Sequence, residues 1–317
     1  MKKQGLMLGL FSVTSYSLNT PLSRGIMLEG MTPVTLLLLR FVIAGTVFSL
    51  IMRASGLARA KGDDKPMDKR GFGLALIAGL MNGVSGVLYY YGVLNVDASM
   101  AAMIGAATYT ITALVLGSFL TGGLTPHSIL RLALGLIGLY FLLGPSGGDL
   151  SLLGASLIAG ASFIFGIYLI FVQKFLSDYN ISAVSEINLW GIALAIVSFW
   201  VMDGGQIQVS SAGGWTVIII QAIVVSIFGR FSMMAAIKKL GGGEYALLSP
   251  LETLLAILWS IIFLSETLST SQKVGTVFIL AGLLVSGEWF AVWFNQLFAN
   301  LRIPTLRRPS LKRAPIT

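Results

Sequence analysis

The sequence has no cysteine and one histidine, His127, among 317 residues. Disulfides and thiolate metal sites are therefore excluded, and redox habit says nothing about compartment. Charge is also scarce: 11% of residues are charged, against about 25% in soluble proteins. No GxxxxGK[ST] segment occurs, which excludes a self-contained ATPase of the P-loop kind. HExxH is absent too, and Asp97, Asp149 and Asp203 fall at loop edges, so neither metal-assisted nor aspartyl hydrolysis has its residues. The reading is of a non-enzyme with no cofactor.

What is abundant is apolar: 56% of residues are hydrophobic and mean hydropathy is +0.86. Such a chain is built for lipid, whose core forces every spanning segment to satisfy its own backbone groups. There is room for about ten spans of roughly 20 residues. The pattern predicts helices at 5–27, 33–52, 71–93, 97–120, 126–144, 150–173, 182–202, 214–237, 244–265 and 270–294. Thr32-Pro33 and Thr125-Pro126 read as a capping hydroxyl before a first-turn proline. Ser269 with Gln272 has capping-box spacing, and Gly144-Pro145 stops the fifth segment. Polar residues from Ser12 to Asn19 interrupt the first apolar run, so it reads as an uncleaved first helix and not a signal peptide.

The net charge of +8 reads as topology and not as a nucleic-acid surface. With the N-terminus inside, 17 of the 21 basic residues fall in inner segments. Arg24 and Lys273 are outer, and Arg40 and Arg230 lie within spans. Both termini are then expected in the cytoplasm of a bacterial inner membrane. Trp200, Trp289 and Trp293 near helix ends read as interfacial anchors.

Residues 89–144 and 233–288 lie on each other when slid by 144 positions. Ala102/Ala246, Leu114/Leu258, Phe119/Phe263, Leu136/Leu280 and Gly138/Gly282 coincide, and the polar breaks after Leu120 and Leu264 coincide with them. Two units of five spans enter a membrane in opposite senses, so the second is an inverted copy of the first. The predicted fold is an all-α membrane protein of ten transmembrane helices in two inverted five-helix repeats. Residues 1–145 form the first, 146–295 the second, and 296–317 a basic, disordered cytoplasmic tail.

The segment AAIKKLGGGEYALLSPLETLLAILWSIIFLSETLSTSQKVGTVFILAGLLVSG resembles the end of an EamA-type repeat of the drug/metabolite transporter superfamily. It has the small-residue turn, Ser-Pro in the ninth helix, Ser-Glu before the tenth and a glycine-spaced last helix. PVTLLLLRFVIAG and YYYGVLNVDASMAAMIGAAT resemble the same repeat in the first half. The resemblance implies two inverted repeats and movement of small organic metabolites, by proton coupling in some relatives and facilitated diffusion in others. Two landmarks are missing from the first half, where Gly122 faces Glu266 and Ala106 faces Pro250.

Candidate cavity residues follow from depth and chemistry. Pro250, about six residues into the ninth helix, is expected to free a carbonyl near Ala246, with Gly105-Ala106 as its flexible counterpart. Glu252 lies roughly 12 Å deep, where a charge needs a partner, a proton or water. Arg230 pairs with Glu252 or with Glu186; both readings stay open, as do a static ion pair and a proton or amine site. Arg40 has no acid near it in sequence and reads as structural, snorkelling outward or capping carbonyls. At least one of Tyr89, Tyr90 and Tyr91 must face the bundle, and we take Tyr90 as the candidate. Tyr16, Asn19, Tyr109, Phe163 and Tyr168 complete the substrate-binding candidates, an apolar pocket dotted with hydroxyls. Ordinary bundle packing is the competing reading of those aromatics.

The function expected is a secondary, non-ATP transporter, an exporter of small organic metabolites such as amino acids or amphipathic and aromatic compounds, working by alternating access. Its partners are a small-molecule substrate and the bilayer, with proton coupling open and with monomer and homodimer both open. A non-transporting membrane subunit or receptor is the alternative.

Overall fold

The computed structural model describes residues 2–55, 65–121, 126–143, 151–176, 178–207, 211–240 and 248–284. All are helix or connection; among them no strand forms, and one isolated bridge pairs Lys65 with Tyr179. The helices are α1 (Lys2–Ser17), α2 (Asn19–Leu28), α3 (Pro33–Ser55), α4 (Lys69–Asn95), α5 (Ala98–Thr121) and α6 (Pro126–Leu143). They continue with α7 (Leu152–Phe175), α8 (Ile181–Met202) and α9 (Ala212–Ile220), then a π-helical stretch Gln221–Gly229 that runs into α10 (Arg230–Leu240). The last two are α11 (Ser249–Leu264) and α12 (Thr270–Leu284). Among the described residues five helical stretches are long and apolar enough to cross a membrane: Pro33–Ala54, Lys69–Asn95, Leu152–Val172, Ile181–Met202 and Ala212–Ala236; Leu251–Leu264 is a shorter apolar helix.

Local chemistry sets the helix starts. Thr35 N–H donates to Thr32 Oγ1 at 3.3 Å. Ser269 and Gln272 form a reciprocal capping box, Gln272 N–H donating to Ser269 Oγ at 3.2 Å and Ser269 N–H to Gln272 Oε1 at 2.8 Å. Asp68, Ser151, Asn180 and Ser211 cap α4, α7, α8 and α9. The Gly71 N–H held by Asp68, followed by Tyr179 and Lys65 beside it, keeps the Asp68 carboxyl below its ordinary range. Thr125, Gly144 and Pro145 lie outside the described residues.

The first predicted span is broken. Pro21 has no N–H to give the Ser17 carbonyl and its ring crowds that turn, so α1 ends and α2 begins around Leu18. Ser17 Oγ donates instead to Thr14 O at 2.7 Å. The eighth span is distorted at a comparable depth by the π-helical stretch. Pro250, where a kink was expected, stands in the first turn of α11, a position that tolerates proline. Ala246, whose carbonyl it was to free, lies outside the described residues.

Packing is set by glycine. A Cβ on Gly79 would stand 2.6 Å from the Asn188 carbonyl oxygen and 2.8 Å from Gly191 Cα, and one on Gly83 2.6 Å from Ala195 Cβ. Contact residues rise together, so α4 and α8 run parallel. Gly92 meets Gly154 and Ile158, and Ser85 Oγ donates to Ala161 O at 2.8 Å; α4 and α7 are thus antiparallel. Gly138 meets Gly275 and Ile279 and Ser271 Oγ donates to Phe141 O at 2.5 Å, so α6 and α12 are antiparallel too.

Neighbours follow a rule of exchange. α4 packs on α7 and α8, while the π-helical stretch with its flanking helices packs on α1 and α3. α5 packs on α7, and α11 on α1 and α2; α3 pairs with α8 and α6 with α12. Swapping the first five predicted segments for the last five returns the α3–α8 and α6–α12 contacts to themselves and maps each of the others onto another of the set.

Because backbone lies opposite Gly79, the site cannot yield. Gly79→Ala should destabilise the protein by ~1–3 kcal/mol, read as a fall in melting temperature in detergent. Gly73→Ala, where nothing lies within 4 Å of a new Cβ, should be neutral or stabilising by up to ~1 kcal/mol.

Candidate functional site

A cavity of about 220 Å³ lies within the bundle, lined by α1 to α5, α7, α8, α10 and α11. The volume is below the ~300–1,000 Å³ of drug-sized sites, so this conformation admits only a small solute. Its wall is mostly apolar and aromatic, from Phe41, Tyr89, Tyr109, Phe165, Ile192 and Met233 among others. Three charges interrupt it: Arg40, Arg230 and Glu252.

Arg40 is buried, 4% exposed, and does not snorkel. Its Nε donates to Ser226 Oγ at 2.6 Å, and Nη1 donates to Asn19 Oδ1 at 2.6 Å, Tyr90 OH at 2.8 Å and Gln221 Oε1 at 3.5 Å. Tyr90 OH in turn donates to Asn19 Oδ1 at 2.8 Å. Gln221 Nε2 donates to Asn19 O at 3.0 Å and Ser23 Oγ at 2.7 Å. The network thus joins the break after α1 to the π-helical stretch. One cation uses the polar groups that two irregular helices leave over.

Arg230 is 7% exposed. Its Nη1 donates to Asn188 Oδ1 at 2.8 Å and Tyr168 OH at 3.4 Å. With the Asn82 amide turned to satisfy its neighbours, Asn82 Oδ1 accepts from Nη1 at 3.0 Å and Nη2 at 3.3 Å. Arg230 Nε and Asn188 Nδ2 are buried without a hydrogen-bond partner among the described residues. Orphaned buried donors cost about 1–3 kcal/mol each. Neither expected ion pair forms: the Arg230 partners are neutral, and Glu186 is outside the cavity wall. The Glu252 side chain borders the cavity and makes no hydrogen bond or ion pair among the described residues.

Another cluster lies at the end of the bundle that holds the 29–32, 96–97 and 265–269 connections. Glu266 reaches across to the start of α5, accepting from Ala98 N–H at 2.7 Å, Ser99 N–H at 3.0 Å and Ser99 Oγ at 2.6 Å. Its charge sits on the positive end of that helix. Arg24 lies 3.6 Å from Glu266 and 3.0 Å from Asp97, and donates to the Val93 and Val96 carbonyls. Arg24 of α2, the end of α4, the start of α5 and the connection after α11 are therefore tied together at this end of the bundle.

The model of the EamA-like transporter family matches this sequence twice, over residues 3–144 and 152–287. The chain belongs to the EamA-like transporter family. It is accordingly a multi-pass membrane protein of the drug/metabolite transporter superfamily. One solved structure, titled "Crystal structure of protein", aligns over 90% of this chain and 98% of its own with a TM-score of 0.60 and 17% identity, and shares the fold. No curated protein matches the sequence.

Of the residues singled out in sequence, Tyr16, Asn19, Tyr90, Tyr109, Tyr168, Arg230 and Glu252 border the cavity of this EamA-like protein. Phe163 does not: it is 48% exposed, and the wall position on α7 is taken by Phe165, two residues and about 200° further round. The Pro250 side chain lies outside what is described. Residues that the sequence reading passed over are Asn82, Asn188, Gln221 and Ser226, which hold the arginines. Their signal was available: uncharged amides in apolar spans need a partner. Glu266 was noted only for lacking a match at Gly122, and its role as a cap for α5 needs the fold to be seen.

The chain's lack of cysteine makes labelling clean. In an Ala102→Cys background, Glu266→Gln should raise labelling from the 203–207 side by an impermeant maleimide about tenfold, since a charged hydrogen-bond acceptor is worth ~1.5–3 kcal/mol. Unchanged labelling would mean that this cluster does not close this end of the bundle.

Proposed function

We propose that this protein is a secondary transporter, an exporter of small organic metabolites such as amino acids or amphipathic and aromatic compounds, in the bacterial inner membrane. Ten transmembrane helices form two inverted five-helix repeats, with both termini in the cytoplasm. The halves rock around the central cavity and expose it to each side in turn. The observation that carries this reading is the cavity itself, walled by helices from both matched segments and holding three charges inside an apolar bundle.

The antiparallel course of α6 and α12, the fifth helices of the two segments, supports inversion. The exchange rule among helix neighbours supports a two-fold relation between halves. The concentration of basic residues in alternate connections supports the inner placement of both ends. The Arg24–Glu266–Asp97 cluster is then the outer closure, and breaking it accompanies release of the solute outward. Glu252, facing the cavity without a partner, is the residue assigned to proton coupling.

Purified protein in liposomes should move labelled amino acids or aromatic solutes down their gradient, saturably and without ATP. A membrane subunit without transport activity would leave them still. Glu252→Gln should preserve downhill exchange and remove acceleration by a pH gradient. Equal flux of both proteins at every pH would end the proton role of Glu252.

A further inference from the structure

The cavity wall carries two guanidinium groups and one carboxylate, and no other charged side chain among the residues that border it. None of the three is neutralised by a neighbour among the described residues. Arg40 is held by Ser226, Asn19, Tyr90 and Gln221, all uncharged. Arg230 is held by Asn188, Tyr168 and Asn82, likewise uncharged. The charge balance of the cavity wall is positive with Glu252 ionised, and more positive with Glu252 protonated. The sign survives either state.

Two further facts point to a ligand at Arg230. Among the described residues its Nε is a buried donor with no acceptor, and Asn188, which stands behind the wall at 0% exposed and holds Arg230, has an Nδ2 in the same condition. Arg230 is positioned by neutral oxygens that leave its positive charge uncancelled, and Asn188 is positioned by accepting from Arg230 through Oδ1. In a low-dielectric interior such a site attracts an anion strongly, and a planar guanidinium favours a carboxylate over a spherical ion.

We infer that the cavity is a site for a small organic solute of net charge −1, with its carboxylate on Arg230 and its apolar part against Tyr16, Tyr89 and Phe165. The inference rests on the cavity being the solute chamber of the transporter proposed above, and it names the class of solute. A monoanion brings the chamber with ionised Glu252 to neutrality, which a zwitterion or a cation does not. Glu252 then sets selectivity by sign: it excludes dianions and weakens monoanion binding through repulsion.

Three probes of one skeleton test this: 3-phenylpropionate, 3-phenylpropylamine and 3-phenylpropanol, with binding to the detergent-purified full chain measured by calorimetry. The acid should bind at least tenfold more tightly than the alcohol, and the amine more weakly than either. Arg230→Gln should erase the preference for the acid, with Arg230→Lys restoring part of it. Glu252→Gln should tighten the acid severalfold, an effect of opposite sign that loss of packing cannot mimic. Equal affinity for the three probes, no binding of any, or a preference that survives Arg230→Gln overturns the inference. Flux of the acid in liposomes is read separately. Binding with the stated charge order but no flux supports this inference and sinks the transporter reading; flux of uncharged or cationic solutes alone does the reverse.

Discussion

Two guanidinium groups are held inside this bundle without an acid beside them among the described residues, and much of the interior is arranged around that fact. A charge at the centre of a bilayer is unfavourable by at least ~2.5–3.5 kcal/mol. Here the offset comes from neutral oxygens gathered from many helices. Arg40 draws together α2, α3, α4 and the π-helical stretch. Arg230 draws together α4, α7 and α8. Each set is specific in geometry and incomplete in charge. That combination fixes the side chains while leaving the chamber with a field for something else to answer.

The polar interior stands on a close-packed frame. Gly79, Gly83 and Gly92 let α4 lie against α7 and α8 at distances that no side chain allows. Gly138 does the same for α6 against α12. These seams have backbone on both sides and little room to deform. By contrast the α1–α2 break and the π-helical stretch lie where the arginine network is. Rigidity and irregularity are thus divided: glycine seams hold the frame, and distorted helices supply the polar groups. Glu266 adds a tie from the connection after α11 to the start of α5 and to Arg24, made of hydrogen bonds and one ion pair, which is easier to break than a packed seam.

The sequence showed the positions of the helical segments because apolar run length and the breaks between runs are one-dimensional signals. The Ser269–Gln272 capping box was legible for the same reason. Facing was harder. A helix apolar all round has no polar side to orient it, so Phe163 and Phe165 look alike until α7 is packed. Depth suggested that Arg230 needed an acid, yet Asn188, Tyr168 and Asn82 satisfy it, because amides and hydroxyls on three other helices converge there. Pro250 draws the eye in sequence yet is benign in the first turn of α11, whereas Pro21, four residues after Ser17, breaks its helix. The π-helical stretch left no mark in composition; Ser12 Oγ donates to its Gly229 carbonyl, and Gln221 at its start donates to Asn19 O and Ser23 Oγ of α2.

The transport proposed for this protein needs one cavity that is reached from each side of the membrane in turn. Gly86 borders it, and nothing lies within 4 Å of a Cβ built there, so Gly86→Cys introduces a single thiol into an otherwise cysteine-free chain. Its reaction with an impermeant maleimide should be measured in right-side-out and inside-out vesicles. The account predicts labelling from both faces, slowed on both by transported solute. Labelling from one face only, or from neither, would contradict it.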